Sequence, residues 1–160
     1  MSTWLRRAGC GQNPDGSEVT WSLAEGERGR RWRWSVLDGG QLRHAALVEI
    51  DRRGRFGRLE LSSPAGLLTL HPEPDGRSIH GNVVTTDGVR PLAFDWSPTA
   101  ALAIAGDPFG SAILLAGATD ATLVIRARLG VVAGDRGTVL ELDSRGIPIL
   151  EQSREWPLEA

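Results

Sequence analysis

Asp-Gly turn signals recur along most of this chain, and they constrain it to hairpins more than any other feature does. Asp15-Gly16, Asp38-Gly39-Gly40, Asp75-Gly76 and Asp87-Gly88 are tight-turn dipeptides. Asp51-Arg52-Arg53-Gly54, Asp135-Arg136-Gly137 and Asp143-Ser144-Arg145-Gly146 read as longer turns closed by a glycine. Aspartate bonds its own following backbone and glycine accepts positive φ, which suits the turns whose twist matches paired strands. Between the turns, apolar residues alternate with period two, as in Trp32, Trp34 and Val36, Leu59 and Leu61, Leu68 and Leu70, and again at Val83. That period gives each strand one buried and one wet face. Roughly ten such segments predict an all-β fold, an antiparallel meander forming a β-roll or half-open barrel. No linker and no fixed-period repeat interrupts it, so residues 1–160 are read as a single domain.

One interval breaks the rhythm. Ser97-Pro98-Thr99 reads as a helix start, a run of Ala, Leu and Ile follows over 100–105, and Gly106-Asp107-Pro108 reads as its stop. A short helical turn near 98–105 and a small-residue loop across the mouth of the roll are both open. The same run, with Ile113 and its neighbours beyond, is the longest apolar region. It falls short of the roughly 20 residues a spanning helix needs.

Charge narrows the function classes. The 18 basic residues are all arginine, against 20 acidic ones, for a net charge of −2. A general nucleic-acid binder carries a marked basic excess, so none is expected as partner. The absence of lysine is read as coding bias. Residues 1–12 hold no apolar stretch of the kind a secretory signal needs, and Cys10 is the sole cysteine. No intramolecular disulfide is possible, and a cytoplasmic location is expected.

Chemical motifs are sparse. His71 and His80 sit nine apart across a turn and become cross-strand neighbours if the register agrees; with His44 they are read as ordinary histidines, and no metal or cofactor is predicted. Gly110-Ser111 lacks the second glycine of a nucleophile elbow. The segment from Gly106 to Gly110 lacks the Gly-Lys-Ser/Thr ending of a phosphate loop. Carboxylate pairs such as Glu49 with Asp51 and Glu141 with Asp143 flank turns, where solvent and arginine claim them. No catalytic residue is assigned. The most informative stretch is Arg28 to Trp34, where Trp32 and Trp34 share one strand face and Arg31 and Arg33 the other. Six tryptophans against three phenylalanines and no tyrosine point to a bulky apolar interior with a few polar N–H tips. A roomy interior of that kind is what an amphiphile needs.

Three segments resemble a glycolipid-binding family of bacterial proteins, whose glycolipid role is itself inferred. They are Trp4-Leu5-Arg6-Arg7 at the start, the stretch from Leu92 through Phe94-Asp95-Trp96 to Thr99, and Val139 to Pro148 with a late Trp156. The resemblance implies a spiral β-roll like that of bacterial lipoprotein carriers, with no catalytic residues to carry over. The chain departs from the family after Thr99, where Ala101 to Ala105 replaces a polar and basic run. It also lacks the tyrosines expected around the last strand pair.

The expectation is therefore a non-catalytic protein that binds an amphiphilic ligand, such as a glycolipid, on an apolar concave face. Trp32, Trp34, Phe94 and Trp96 are the expected lining, with Arg and Asp groups at the rim for the head group. Apolar burial would supply about 25 cal/mol per Å². Two alternatives stand beside it. One is a structural or interaction module forming a homodimer through an open sheet edge. The other is a small β-barrel enzyme using His80 and Asp95 as acid and base.

Overall fold

A computed structural model describes residues 5–97, 99–115 and 122–157. Trp4, in the first of the resemblance segments, and Pro98, read as the first residue of a helix, lie outside the described residues. Nine strands form one antiparallel sheet: β1 (Leu5–Gln12), β2 (Glu18–Gly26), β3 (Gly29–Asp38), β4 (Gln41–Ile50), β5 (Phe56–Ser63), β6 (Gly66–Pro72), β7 (Ser78–Thr85), β8 (Gly88–Asp95) and the C-terminal β12 (Glu151–Pro157). The order is β12 beside β1 and then β2 to β8 in sequence. The sheet is a meander and does not close. A second sheet of three short strands holds β9 (Ala101–Ile104), β10 (Thr122–Ile125) and β11 (Val131–Ala133), with α1 (Pro108–Leu115) following β9.

The predicted turns fall between the strands where the Asp-Gly signals lie. The turn at Asp51 shows the mechanism: its Oδ1 accepts the backbone N–H of Arg53 and of Arg55, and Gly54 closes the turn at φ 79°. The turn at Asp143 repeats this with the N–H of Arg145 and of Ile147, closed by Gly146 at φ 78°.

Alternation places the apolar residues on one concave face. Two inner rows run across the sheet, Trp21–Trp34–Ala46–Leu61–Leu68–Val83 and Leu23–Trp32–Val48–Leu59–Leu70, continued by Gly81 and Leu92. A Cβ at Gly81 would collide with the Thr69 carbonyl, so only glycine lets β7 approach β6 so closely there. Beyond β8, Trp96 reaches back to the Phe56 ring at the start of β5, with centroids 6.0 Å apart. The sheet thus curls into a roll.

The interior of the roll is occupied by the chain's own helix. The residues of α1 from Pro108 to Leu114 are buried, and the helix is apolar all round, as a core helix must be. Phe109 sits against three indoles, with centroids 6.4 Å from Trp21, 6.0 Å from Trp32 and 5.9 Å from Trp34. Leu102, Ile104, Ile113, Ile125, Leu129, Ile147 and Leu150 join the same cluster, so both sheets and the helix share one core.

The described part of this interval, residues 99–105, differs from both readings of it. Ala101–Ile104 is a strand buried on both faces, paired parallel to β10. Gly106-Asp107-Pro108 does not end a helix but begins one. Pro108 stands at its first position, and Asp107 Oδ1 caps it by accepting the Gly110 N–H at 2.9 Å.

Candidate functional site

The roll opens at one end, where three turns meet. The β2–β3 turn contributes Gly26 and Gly29, the β4–β5 turn Asp51, Arg52 and Gly54, and the turn after Leu142 contributes Gly146. Between them lies a cleft of about 380 Å³. Trp32, Ile50, Ile113 and Leu142 supply its apolar surface, and Glu25, Arg30, Asp51 and Arg52 its polar rim. The glycines keep the walls thin. At Gly29 (φ 114°) a side chain would run into the Ile50 carbonyl, and at Gly146 it would meet the Arg30 guanidinium at 2.7 Å. A second cleft of about 370 Å³ adjoins this mouth across β3 and β4, lined by Arg28, Arg31 and Glu49 among others.

The rim is held by fixed polar contacts. Arg30 pairs with Glu25 at 2.6 Å and donates to the Arg145 carbonyl at 2.7 Å, tying the first turn to the third. Arg145 in turn spans Asp143 (2.7 Å) and both oxygens of Glu155 on β12 (2.5 and 2.8 Å). Hydrogen bonds from Arg145 hold the Glu155 carboxyl below the ordinary glutamate value. Burial pushes Asp143 up, but Arg145 and the backbone N–H groups of Ile147 and Arg145 outweigh it, and this carboxyl too is held low.

A separate polar cluster lies inside the roll. Asp107 is 1% exposed, and its Oδ2 accepts the Trp34 indole N–H at 2.8 Å and lies 2.6 Å from Nε2 of His44, also buried. Asp107 is thereby helix cap, indole acceptor and histidine partner at once. Its surroundings are packed protein, so the cluster anchors α1 rather than facing a ligand.

The four residues expected to line the ligand site are divided by the structure. Trp32 and Trp34 face inward as expected, yet both pack on Phe109, and of the four only Trp32 reaches the mouth. Phe94 is half-buried on β8 opposite Ile79, and Trp96 rests on Phe56; they are at the same end of the roll but not among the mouth's lining. His71 and His80 are direct cross-strand partners, and Glu73 Oε1 lies 2.6 Å from His80 Nδ1 and 3.5 Å from His71 Nε2. Among the described residues no group of three or more His, Cys, Asp and Glu is arranged to hold a metal. His80 and Asp95 share the convex face, offset by one pair, and His80 is bonded to Glu73 instead. The rim residues Glu25, Arg30, Asp51 and Arg52, and the buried His44 and Asp107, were not singled out from the sequence as site residues. Asp51 and Arg52 carried a signal in the Asp-x-x-Gly turn and Asp107 in the Asp-Pro pair, whereas Glu25, Arg30 and His44 carried none of this kind.

No family model, no curated protein and no solved structure matches the chain. Among the described residues no helix is long and apolar enough to cross a membrane.

Proposed function

We propose that this protein binds a small amphiphilic ligand at the open end of its roll without transforming it. The observation that supports this most is the mouth itself, where the apolar side chains of Trp32, Ile50, Ile113 and Leu142 lie beneath a charged rim. An apolar cleft with a few convergent polar groups is the usual form of a small-molecule site. Its volume sits near the low end of the usual range of about 300–1,000 Å³, which favours one acyl chain over two. α1 already fills the concave face, so the chain would enter beside Ile113 rather than spread along the whole sheet. Trp34 spends its N–H on Asp107, whereas no protein acceptor meets the Trp32 N–H among the described residues. A ligand can supply one. A glycolipid is one member of this ligand class, as the resemblance implies. The proposal includes a cytoplasmic location, supported by the single thiol Cys10, which is half-buried.

Native mass spectrometry of the purified protein, with solvent extraction of any co-purifying lipid, tests the reading. The expected result is an adduct of lipid mass that is lost in Leu142→Asp, which puts a charge into the mouth. A bare wild-type mass, together with no change in tryptophan emission on adding dodecyl-chain amphiphiles, would contradict it.

A second reading rests on the convex face. Leu67, Val84 and Val89 form one row across β6, β7 and β8, and they are 38%, 41% and 65% exposed. A second copy of the chain seated on that row would make a homodimer. Pro91 removes a donor from the edge strand β8, which disfavours strand addition there.

A further inference from the structure

Resting on the amphiphile reading, we infer that the mouth selects an anionic head group, a carboxylate or a phosphate, over a neutral sugar. The charges that line it fall into two kinds. Glu25 and Arg30 neutralise one another at 2.6 Å, and Arg30 is held further by the Arg145 carbonyl. Asp51 turns its Oδ1 to two backbone N–H groups of its own turn. Arg52 is left over: among the described residues its guanidinium meets no carboxylate and no carbonyl. The adjoining cleft repeats the pattern, since Glu49 pairs with Arg31 at 3.1 Å while Arg28 has no partner among the described residues. The mouth and the cleft beside it therefore carry one guanidinium each, Arg52 and Arg28, whose charge the protein does not use.

Arginine presents a planar fork of donors that matches carboxylate and phosphate oxygens, and charge-assisted bonds of this kind are about twice as strong as neutral ones. A neutral sugar would offer Arg52 only uncharged hydroxyl acceptors, whose bonds lack the charge-assisted gain. An anionic head above the Trp32 and Leu142 surface would pair it, and the single chain would occupy the apolar space below. Both guanidinium groups are exposed, so the preference is sensitive to screening by salt.

Isothermal titration with three dodecyl amphiphiles, each below its micelle concentration, tests this: laurate, dodecyl phosphate and dodecyl maltoside. The expected result is that the two anions bind about tenfold more tightly than the maltoside. That ratio should shrink towards one in Arg52→Gln and between about 50 and 300 mM NaCl. Laurate ahead of the phosphate would indicate a fatty acid as the source, and the reverse order a phosphate monoester; either order supports the inference. Equal affinities for all three, or a ratio untouched by Arg52→Gln, would overturn it while leaving amphiphile binding in place. Binding of none of the three would overturn both.

Discussion

At the scale of single residues, the Asp107 carboxylate ties the helix, the sheet and a buried imidazole together. It is buried, it caps α1, and it holds both the Trp34 N–H and His44. Removing one partner of a buried polar network leaves the others desolvated and unpaired. Asp107→Ala should therefore cost about 3–5 kcal/mol of unfolding free energy by chemical denaturation. Asp107→Asn should cost less, because asparagine also caps helices. Gly110 gives a prediction of sign. In an ordinary helix, glycine to alanine stabilises by roughly 0.5–1 kcal/mol. Here the new Cβ would lie 2.5 Å from the Trp34 ring and 2.7 Å from Asp107 Oδ2. Gly110→Ala should instead destabilise by about 1–3 kcal/mol, read as a lower denaturation midpoint with unchanged slope. The inward faces of Trp32, Trp34 and Val36 were legible in the sequence because period two dictates them. The roles of His44 and Asp107 were not, because their partners lie 63 and 73 residues away in the chain.

At the scale of elements, the turns were the most legible part of the chain and the interval after Trp96 the least. Asp followed by glycine one to three residues later marks a local bonding pattern, and local patterns survive into the fold. The run Ala101 to Ile104 carries no such signal. A short apolar run buried on both faces has no period to distinguish strand from helix. Pro108 misled in the same way, since a proline can close the element before it or open the helix after it. The third turn of the mouth yields a pH prediction. Asp143 and Glu155 are held below their ordinary values of 3.8 and 4.5. A carboxyl depressed in the folded state adds stability that is complete above its unfolded value and is lost as pH falls through the folded one. The melting temperature of wild type should therefore exceed that of Arg145→Gln by a constant margin from neutrality to about pH 5. The margin should then shrink as the pH drops further. A margin that persisted at about pH 2 would show that Arg145 acts through something other than these two carboxylates.

At the scale of the whole molecule, an open nine-stranded sheet has to cover a broad apolar face, and this one does so from within its own chain. Phe109 in its socket of three indoles fills the middle of the roll, which leaves free space where the helix ends near Ile113 and the turns of β2–β3, β4–β5 and 143–147 converge. The sequence made the all-β roll readable and turned Trp32 and Trp34 to its inner face. It did not show that the Trp34 N–H would be taken up by Asp107, or that Phe94 and Trp96 would stay out of the lining of the mouth, because those outcomes depend on how the sheet curls. If the convex row of Leu67, Val84 and Val89 is instead the working surface, sedimentation should find a dimer that Val89→Lys converts to monomer. The amphiphile account predicts no such change.

The most direct test of the account is to map the ligand by ¹H–¹⁵N correlation spectra during a titration with dodecyl phosphate below its micelle concentration. The account predicts saturable shifts in the Trp32 indole N–H and in the amides of Gly29, Gly54 and Gly146. The Trp34 indole N–H, bonded to Asp107, should stay in place. Shifts confined to Ala45, Ser62, Leu67 and their neighbours on the convex face, or no saturable shift at any residue, would contradict it.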